Sequence, residues 1–286
     1  MLHLLVLVVQ TQKYQRENMN KVLSINNATN FFQLLCYIGA PLVLIFNFNA
    51  AYLFAAWFAS WIIVHVGISM GLHRCFSHQS WQPKNKFILI ILHFLSVINM
   101  AGPSIPWAAT HRVHHKYADT EKDPHRIKDS TLWEKFKLWH NFIPYHEVSP
   151  RLVVDLLRDP YHRFFNKYYF HILVAWGALL FIISPDLFMY GFLVSTMFCL
   201  HTVAWITVGA HIFGHRDTET EDNSKNTFFM GLYSWGEGWH NNHHAAPWSY
   251  AFGWNKHQPD FGKYFIKMLA DPKSLKDKDF YDKQNS

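Results

Sequence analysis

The chain has 286 residues, half of them apolar and 17% aromatic, and only 16% are charged, which is sparse for a water-soluble protein. The net charge of +6 comes without a basic tract on a recognisable binding element, so it argues for loops facing anionic lipid and against nucleic acid. Cys36, Cys75 and Cys199 lie far apart with no CxxC pair, which excludes a disulfide framework and a thiolate metal site.

The first nine residues are apolar but lack a basic n-region and a small-residue cleavage site, so no cleaved signal peptide is expected. Met19 is an alternative start, and residues 1–30 read as an N-terminal extension. From Phe31 to His73 there is no Asp, Glu, Lys or Arg. A helix needs about 20 apolar residues to cross a bilayer, so this stretch suffices for two crossings, turning at Asn47-Phe48-Asn49. The run from Phe87 to Ile105 is also long enough. It is expected to lie along the interface or re-enter, because a crossing would put the histidines on either side of it on opposite faces. The second charge-poor stretch, Tyr168 to His215, carries only Asp186 and divides at Ser184-Pro185-Asp186.

The predicted fold is therefore all-α, an integral membrane protein of one domain, 1–286, with four transmembrane helices in two hairpins. The hairpins are 31–73 and 168–215, and the segments 74–167 and 216–286 form a cytoplasmic helical cap. Lys13, Arg16 and Lys21 precede the first hairpin, and many basic residues lie between and after the hairpins. The positive-inside rule then puts both termini and the active site in the cytoplasm. Trp248 to Asp271, with apolar spacing at Phe261, Tyr264, Phe265 and Leu269, is expected on the membrane surface or capping the cytoplasmic part.

Twenty histidines are present, and their spacing matters more than their number. Three clusters flank the apolar segments: His73-Arg-Cys-Phe-Ser-His78, His111-Arg-Val-His114-His115 and His240-Asn-Asn-His243-His244. Helical positions i, i+3 and i+4 share a face, so each HxxHH cluster can aim three imidazoles at one cavity. Its adjacent pair diverges by about 100°, which suits two different metals. His73 and His78 are about 140° apart on an ideal helix, so the chain is expected to leave the helix between them.

Eight imidazoles exceed one zinc site, and imidazole serves zinc, copper, nickel and iron alike. There is no HExxH, and one Glu237-Gly-Trp-His240 does not make the paired ExxH of soluble carboxylate bundles. Glu237 therefore reads as backing a ligand or as structural. His65, His93 and His201 lie within apolar stretches and read as buried, hydrogen-bonded residues or cavity lining.

In this order around two apolar hairpins, the three boxes resemble the integral-membrane acyl desaturases, particularly the stearoyl-CoA and cyanobacterial Δ9 branch, from about Leu72 to Lys267. Matching stretches include Asp123-Pro124-His125, Asp155 to Pro160, Asp222 to Asn226 and Gly236 to His244. The resemblance implies two iron ions and a ninth ligand, His211. It assigns His73, His78, His115 and His244 to one iron, and His111, His114, His211, His240 and His243 to the other. Thr207, Glu237 and Asn241 are candidates for holding a metal-bound water or backing a ligand.

Two positions depart from the animal acyl-CoA enzymes. Thr207 replaces an Asn that holds a metal-bound water, and Ala109-Thr110 replace an Arg-Asp pair that contacts CoA. An acyl lipid thus stands beside acyl-CoA as substrate. The implied activity is insertion of a cis double bond, at Δ9, using dioxygen and two external electrons. The chain lacks HPGG, GxGxxG and an iron–sulfur cysteine set, so a separate cytochrome b5 or ferredoxin is implied. The alternatives are a fatty acyl or alkane hydroxylase with the same iron chemistry, and a membrane metal-binding or transport protein.

Overall fold

The computed structural model describes residues 27–126, 130–140 and 149–280. The expectations for the signal sequence, Met19, Lys13, Arg16 and Lys21 lie outside the described residues.

Helices α1 (Asn27–Phe46) and α2 (Ala50–Ser77) are long and apolar enough to cross a membrane. They extend the expected first hairpin region at both ends. Asn49 ends the turn between them, its Oδ1 accepting from the backbone N–H groups of Ala51 and Tyr52, as an N-cap residue does. Ile45, Phe46 and Phe54 remain exposed, the pattern of helices whose outer face meets lipid.

From Ile63 to Ser77, α2 is a π-helix. Such helices usually last a single turn and mark functional sites. In i→i+5 geometry His78 sits one turn beyond His73, and its backbone N–H donates to the His73 carbonyl at 3.1 Å. The spacing of these histidines predicts that the chain leaves the helix between them. Instead the helix widens, and widening brings the two imidazoles to the same side.

Helix α3 (Lys86–Ile98) has 13 residues, about 20 Å at 1.5 Å per residue, too short for a ~30 Å hydrocarbon core. It packs against the π segment so closely that a Cβ on Gly67 would fall 2.6 Å from the Leu95 carbonyl carbon. Ser96 Oγ donates to the Gly67 carbonyl at 2.8 Å. Helix α4 (Ser104–Tyr117) then carries His111 and His115 back to His78. The Phe87–Ile105 run thus leaves the histidines on either side of it together.

Helices α5 (Leu132–Trp139), α6 (Val154–Arg158) and α7 (Pro160–Lys167) follow. Helix α8 (Tyr169–Ile183) meets α7 at a 64° bend, and only together are the two long and apolar enough for one span. Helix α9 (Pro185–Gly209) is long and apolar enough alone, so the described residues hold three spans, or four with the bent pair. The turn before α9 meets the turn before α2. Asn47 Nδ2 donates to Asp186 Oδ1 at 3.1 Å, and Tyr190 Oη accepts from Asn49 N at 2.7 Å. Both turns therefore lie at one end of the bundle, with His73 near the far end of α2.

Helices α10 (Phe228–Tyr233), α11 (His240–Ala245) and α12 (Phe261–Leu269) complete the order. In α12, Ile266 is buried in the cluster holding Met70 and Trp81, whereas Phe261, Tyr264, Phe265 and Met268 are exposed. The helix is apolar on both faces.

Candidate metal centre

Five imidazoles converge where α2, α4 and α11 meet: His73, His78, His111, His115 and His243. Beside them His114, His211, His240 and His244 form a second group, and within each group the potential ligand atoms all lie within 4.8 Å of one another. All nine histidines singled out in the sequence are therefore in two adjacent clusters. The rings of His115 and His244 stack across the boundary with centroids 4.4 Å apart.

The grouping differs from the division that the resemblance implied. His111 and His243 lie with His73, His78 and His115, and His244 lies with His114, His211 and His240. The reason is helical. Residues i and i+4 differ by about 40° around the axis, whereas i and i+3 differ by about 60° the other way. In both HxxHH boxes the i, i+4 pair (His111 with His115, His240 with His244) stays together, and the intervening i+3 residue turns to the other cluster. Each adjacent pair, His114-His115 and His243-His244, is thus split between the clusters.

The nitrogens fit metal ions. His73 Nε2 lies 2.9 Å from His243 Nε2, His78 Nε2 lies 2.8 Å from His111 Nε2, and His243 Nε2 lies 2.9 Å from His115 Nε2. In the second cluster the His240 and His244 Nε2 atoms are 3.1 Å apart. Two nitrogens at ~2.1 Å from a metal and at right angles to each other stand about 3.0 Å apart, from ordinary metal–imidazole bond lengths.

The far side of four rings fixes which nitrogen is bare. His73 Nδ1 lies 2.6 Å from Glu237, His114 Nδ1 2.8 Å from Asp123, His211 Nδ1 3.0 Å from Asp119, and His244 Nδ1 2.8 Å from Asp222. A carboxylate there holds the proton on Nδ1 and leaves the Nε2 lone pair pointing inward, the arrangement typical of metal-binding histidine. His211 Nε2 is buried with no hydrogen-bond partner. Lone pairs gathered like this repel one another unless a cation sits between them.

Electrostatics agree. Burial pushes His78, His111, His115, His240 and His243 well below the ordinary imidazole range, so these rings are neutral donors. Burial also lowers His244 to about 4, although its hydrogen bond to Asp222 works in the other direction. Burial acts to raise Glu237, but its interactions with His73 and the Arg74 guanidinium outweigh it and hold the carboxyl at about 2.

Above both clusters lies a cavity walled by Val64, Ile68, Trp107, Val203 and Ile206, with His73, His111, His114 and His240 on its polar side. Thr207 and Thr110 also line it, and Thr110 Oγ1 is buried without a partner. Glu237 reaches the cavity wall while backing His73. Asn241 is occupied elsewhere: its amide accepts from Asp217 N and Thr218 N and donates to the Thr218 carbonyl, fastening that loop.

Outside the clusters, His65 is buried with Nδ1 2.5 Å from the Trp61 carbonyl, and His93 stacks between Phe76 and Phe165. His201 packs against Tyr37 and His140. Sequence reasoning missed the backing roles of Asp119, Asp123 and Asp222 and the burial of Arg74. For Asp119 and Asp123 the available signal was a pair of acids a few residues beyond a histidine box in a chain with few acids.

Two clusters of imidazoles beside an apolar cavity, at the end of a membrane-crossing bundle, define a membrane-embedded enzyme with room for two metals. The chain belongs to the fatty acid desaturase family, whose sequence model matches residues 47–269. It is 31% identical over 249 residues to a "sn-1 stearoyl-lipid 9-desaturase" of Anabaena variabilis, covering 86% of this chain and 90% of that one. To the "sn-1 stearoyl-lipid 9-desaturase" of Synechocystis sp. it is 33% identical over 207 residues, 72% of this chain and 64% of that one. An "Acyl-CoA C20 Delta5-desaturase" of Anemone leveillei is 29% identical over 250 residues, 85% and 80% of the two chains. The protein is thus a membrane-embedded fatty-acyl desaturase-like oxidoreductase whose histidine clusters are consistent with a di-iron centre.

Proposed function

We propose that this chain inserts a cis double bond at Δ9 of a saturated acyl chain carried on a lipid. One iron is held by His73, His78, His111, His115 and His243, and the other by His114, His211, His240 and His244. The observation that carries this reading is the facing of Nε2 atoms at 2.8–3.1 Å in the wall of an apolar cavity. Bound iron, with dioxygen, supplies oxidising power toward an unactivated methylene that no side chain has.

The chain's own residues do the rest. Val64, Ile68, Val203 and Ile206 receive the acyl chain and keep water from it. Trp107, stacked on His111 with centroids 4.9 Å apart, aligns the methylenes with the metal-facing wall. Thr207 holds a water beside His114 and His240. Two hydrogens leave adjacent carbons, one C=C bond forms, and dioxygen with two electrons and two protons becomes two waters.

A lipid carrier is supported by Ala109-Thr110, which offer no cation to a CoA phosphate, and by the lipid substrates named for the two cyanobacterial relatives. Electrons come from a separate cytochrome b5 or ferredoxin. The basic segments between and after the spans support a cytoplasmic active site and cytoplasmic termini.

The test is lipid profiling of a desaturase-deficient host expressing the chain. Appearance of Δ9-unsaturated acyl groups in lipid supports the reading. Hydroxylated acyl groups, or no change although the protein is iron-loaded and supplied with a reductant, overturn it.

A further inference from the structure

The two clusters differ sharply in the charge behind them. Three of the four histidines in the smaller cluster rest on a carboxylate: His114 on Asp123, His211 on Asp119 and His244 on Asp222. Backbone N–H groups also donate to these acids. Asn223 N reaches Asp119 Oδ2 at 2.7 Å, Asp119 N reaches Asp123 Oδ2 at 2.8 Å, and Ser224 N reaches Asp222 Oδ1 at 2.9 Å. Among the described residues, no Lys or Arg forms an ion pair with any of the three.

The larger cluster has one such acid, Glu237 behind His73, and its charge is opposed at once by the fully buried Arg74, whose Nε lies 3.2 Å from Glu237 Oε1. His243, in the same cluster, has a buried Nδ1 with no hydrogen-bond partner, as His240 does in the smaller cluster.

A carboxylate on Nδ1 makes imidazole a stronger donor at Nε2, and its negative charge acts most strongly on the nearer metal because Coulomb energy falls with distance. Both effects favour the higher metal charge at the smaller cluster. We infer that when the pair of ferric ions has taken up one electron, the electron resides at His73, His78, His111, His115 and His243, and the ferric ion remains at His114, His211, His240 and His244. Asp119, Asp123 and Asp222 are the positioning residues that set this order. The inference rests on the two-iron reading above and adds to it which position is reduced first.

The experiment uses full-length protein loaded with iron-57 and titrated with dithionite to one electron per pair, read by Mössbauer spectroscopy and potentiometry. The expected spectrum has one ferric and one ferrous component of equal area. Asp222→Asn and Asp119→Asn are each expected to alter the ferric component, leave the ferrous one in place and move the second reduction step to a more positive potential. Asp222→Glu, which keeps the charge, is expected to restore the wild-type ferric component and second potential. Glu237→Gln is expected to perturb the ferrous component instead. A half-reduced spectrum with the two valences mixed evenly over both sites overturns the inference, as does a change confined to the ferrous component in the Asp variants. Because Asp119 and Asp222 act through different histidines, loss of iron from one variant leaves the other to decide. Binding of other than two irons by the wild-type chain is a separate result, and it overturns the two-iron reading itself.

Discussion

Glu237 backs His73 across 164 positions of sequence, its Oε2 lying 2.6 Å from His73 Nδ1. The same carboxylate accepts from Ser69 Oγ at 2.5 Å and from Arg74 Nε at 3.2 Å. One side chain thereby ties the loop before α11 to the π segment of α2 and sets the direction of a ligand nitrogen. Glu237→Gln keeps the shape but loses the anion that holds the proton on Nδ1. Removing such a backing group typically weakens metal affinity about 10–100-fold. The affinity of the His73 cluster for iron, measured by titration, should fall in that range with the helical circular dichroism unchanged, while the second cluster keeps its iron.

Arg74 is completely buried, with its guanidinium 3.9 Å above the Phe252 ring. It donates to the Trp235 and Tyr250 carbonyls at 2.9 Å and to Asp260 at 3.2 Å, besides Glu237. Removing one partner of a buried ion pair costs about 3–5 kcal/mol, because the other charge is left uncompensated. Arg74→Met should lower the thermal midpoint in detergent strongly. Arg74→Lys should recover only part of it, since an ammonium cannot span the same set of acceptors. Equal midpoints for Arg74→Met and wild type would refute the role given to this side chain.

Gly67 is where α3 can come closest to α2. A methyl group there would meet the Leu95 carbonyl carbon at 2.6 Å and its oxygen at 2.7 Å, both backbone atoms that can yield only if the helix moves. Gly67→Ala should destabilise by about 1–3 kcal/mol, the usual range for overpacking. It should also lower iron content, because α3 leads into α4 and so into His111. Gly191 is the control: its added Cβ would find only a Leu180 side-chain carbon at 3.5 Å, so Gly191→Ala should match wild type in both measurements.

The spans were legible because charge inside a bilayer is expensive. A 43-residue stretch without Asp, Glu, Lys or Arg, counting from Phe31 to His73, is what that expense produces. The HxxHH boxes were legible because helical spacing alone puts three rings near one point. What the sequence hid depends on how separate elements face one another. Helical spacing keeps His111 with His115 and His240 with His244, but which cluster each pair joins follows from how α4 and α11 approach α2. The π segment that aligns His73 with His78 has no composition of its own. Arg74 looked like one more basic residue at the membrane boundary, and only packing against Phe252 and Asp260 shows it to be internal. Asp119 and Asp222 lie in loops, and the first is brought to its histidine across 92 positions.

The division of ligands can itself be tested with paired substitutions. In this structure His114 and His244 belong to one cluster, whereas the grouping by resemblance places them at different metals. His114→Ala combined with His244→Ala should therefore empty one position and leave the five nitrogens of the other intact, giving close to one metal per chain. His73→Ala combined with His244→Ala takes one ligand from each cluster, and it should lower both occupancies together. The measurement is made at neutral pH with cobalt(II) as the probe, counting bound metal after gel filtration. Retention of about one cobalt by the first pair and a smaller, graded loss at both positions in the second is the expected pattern. Near-complete loss from the first pair would show that the two histidines serve different ions and that the clusters, though close in space, are not the ligand sets.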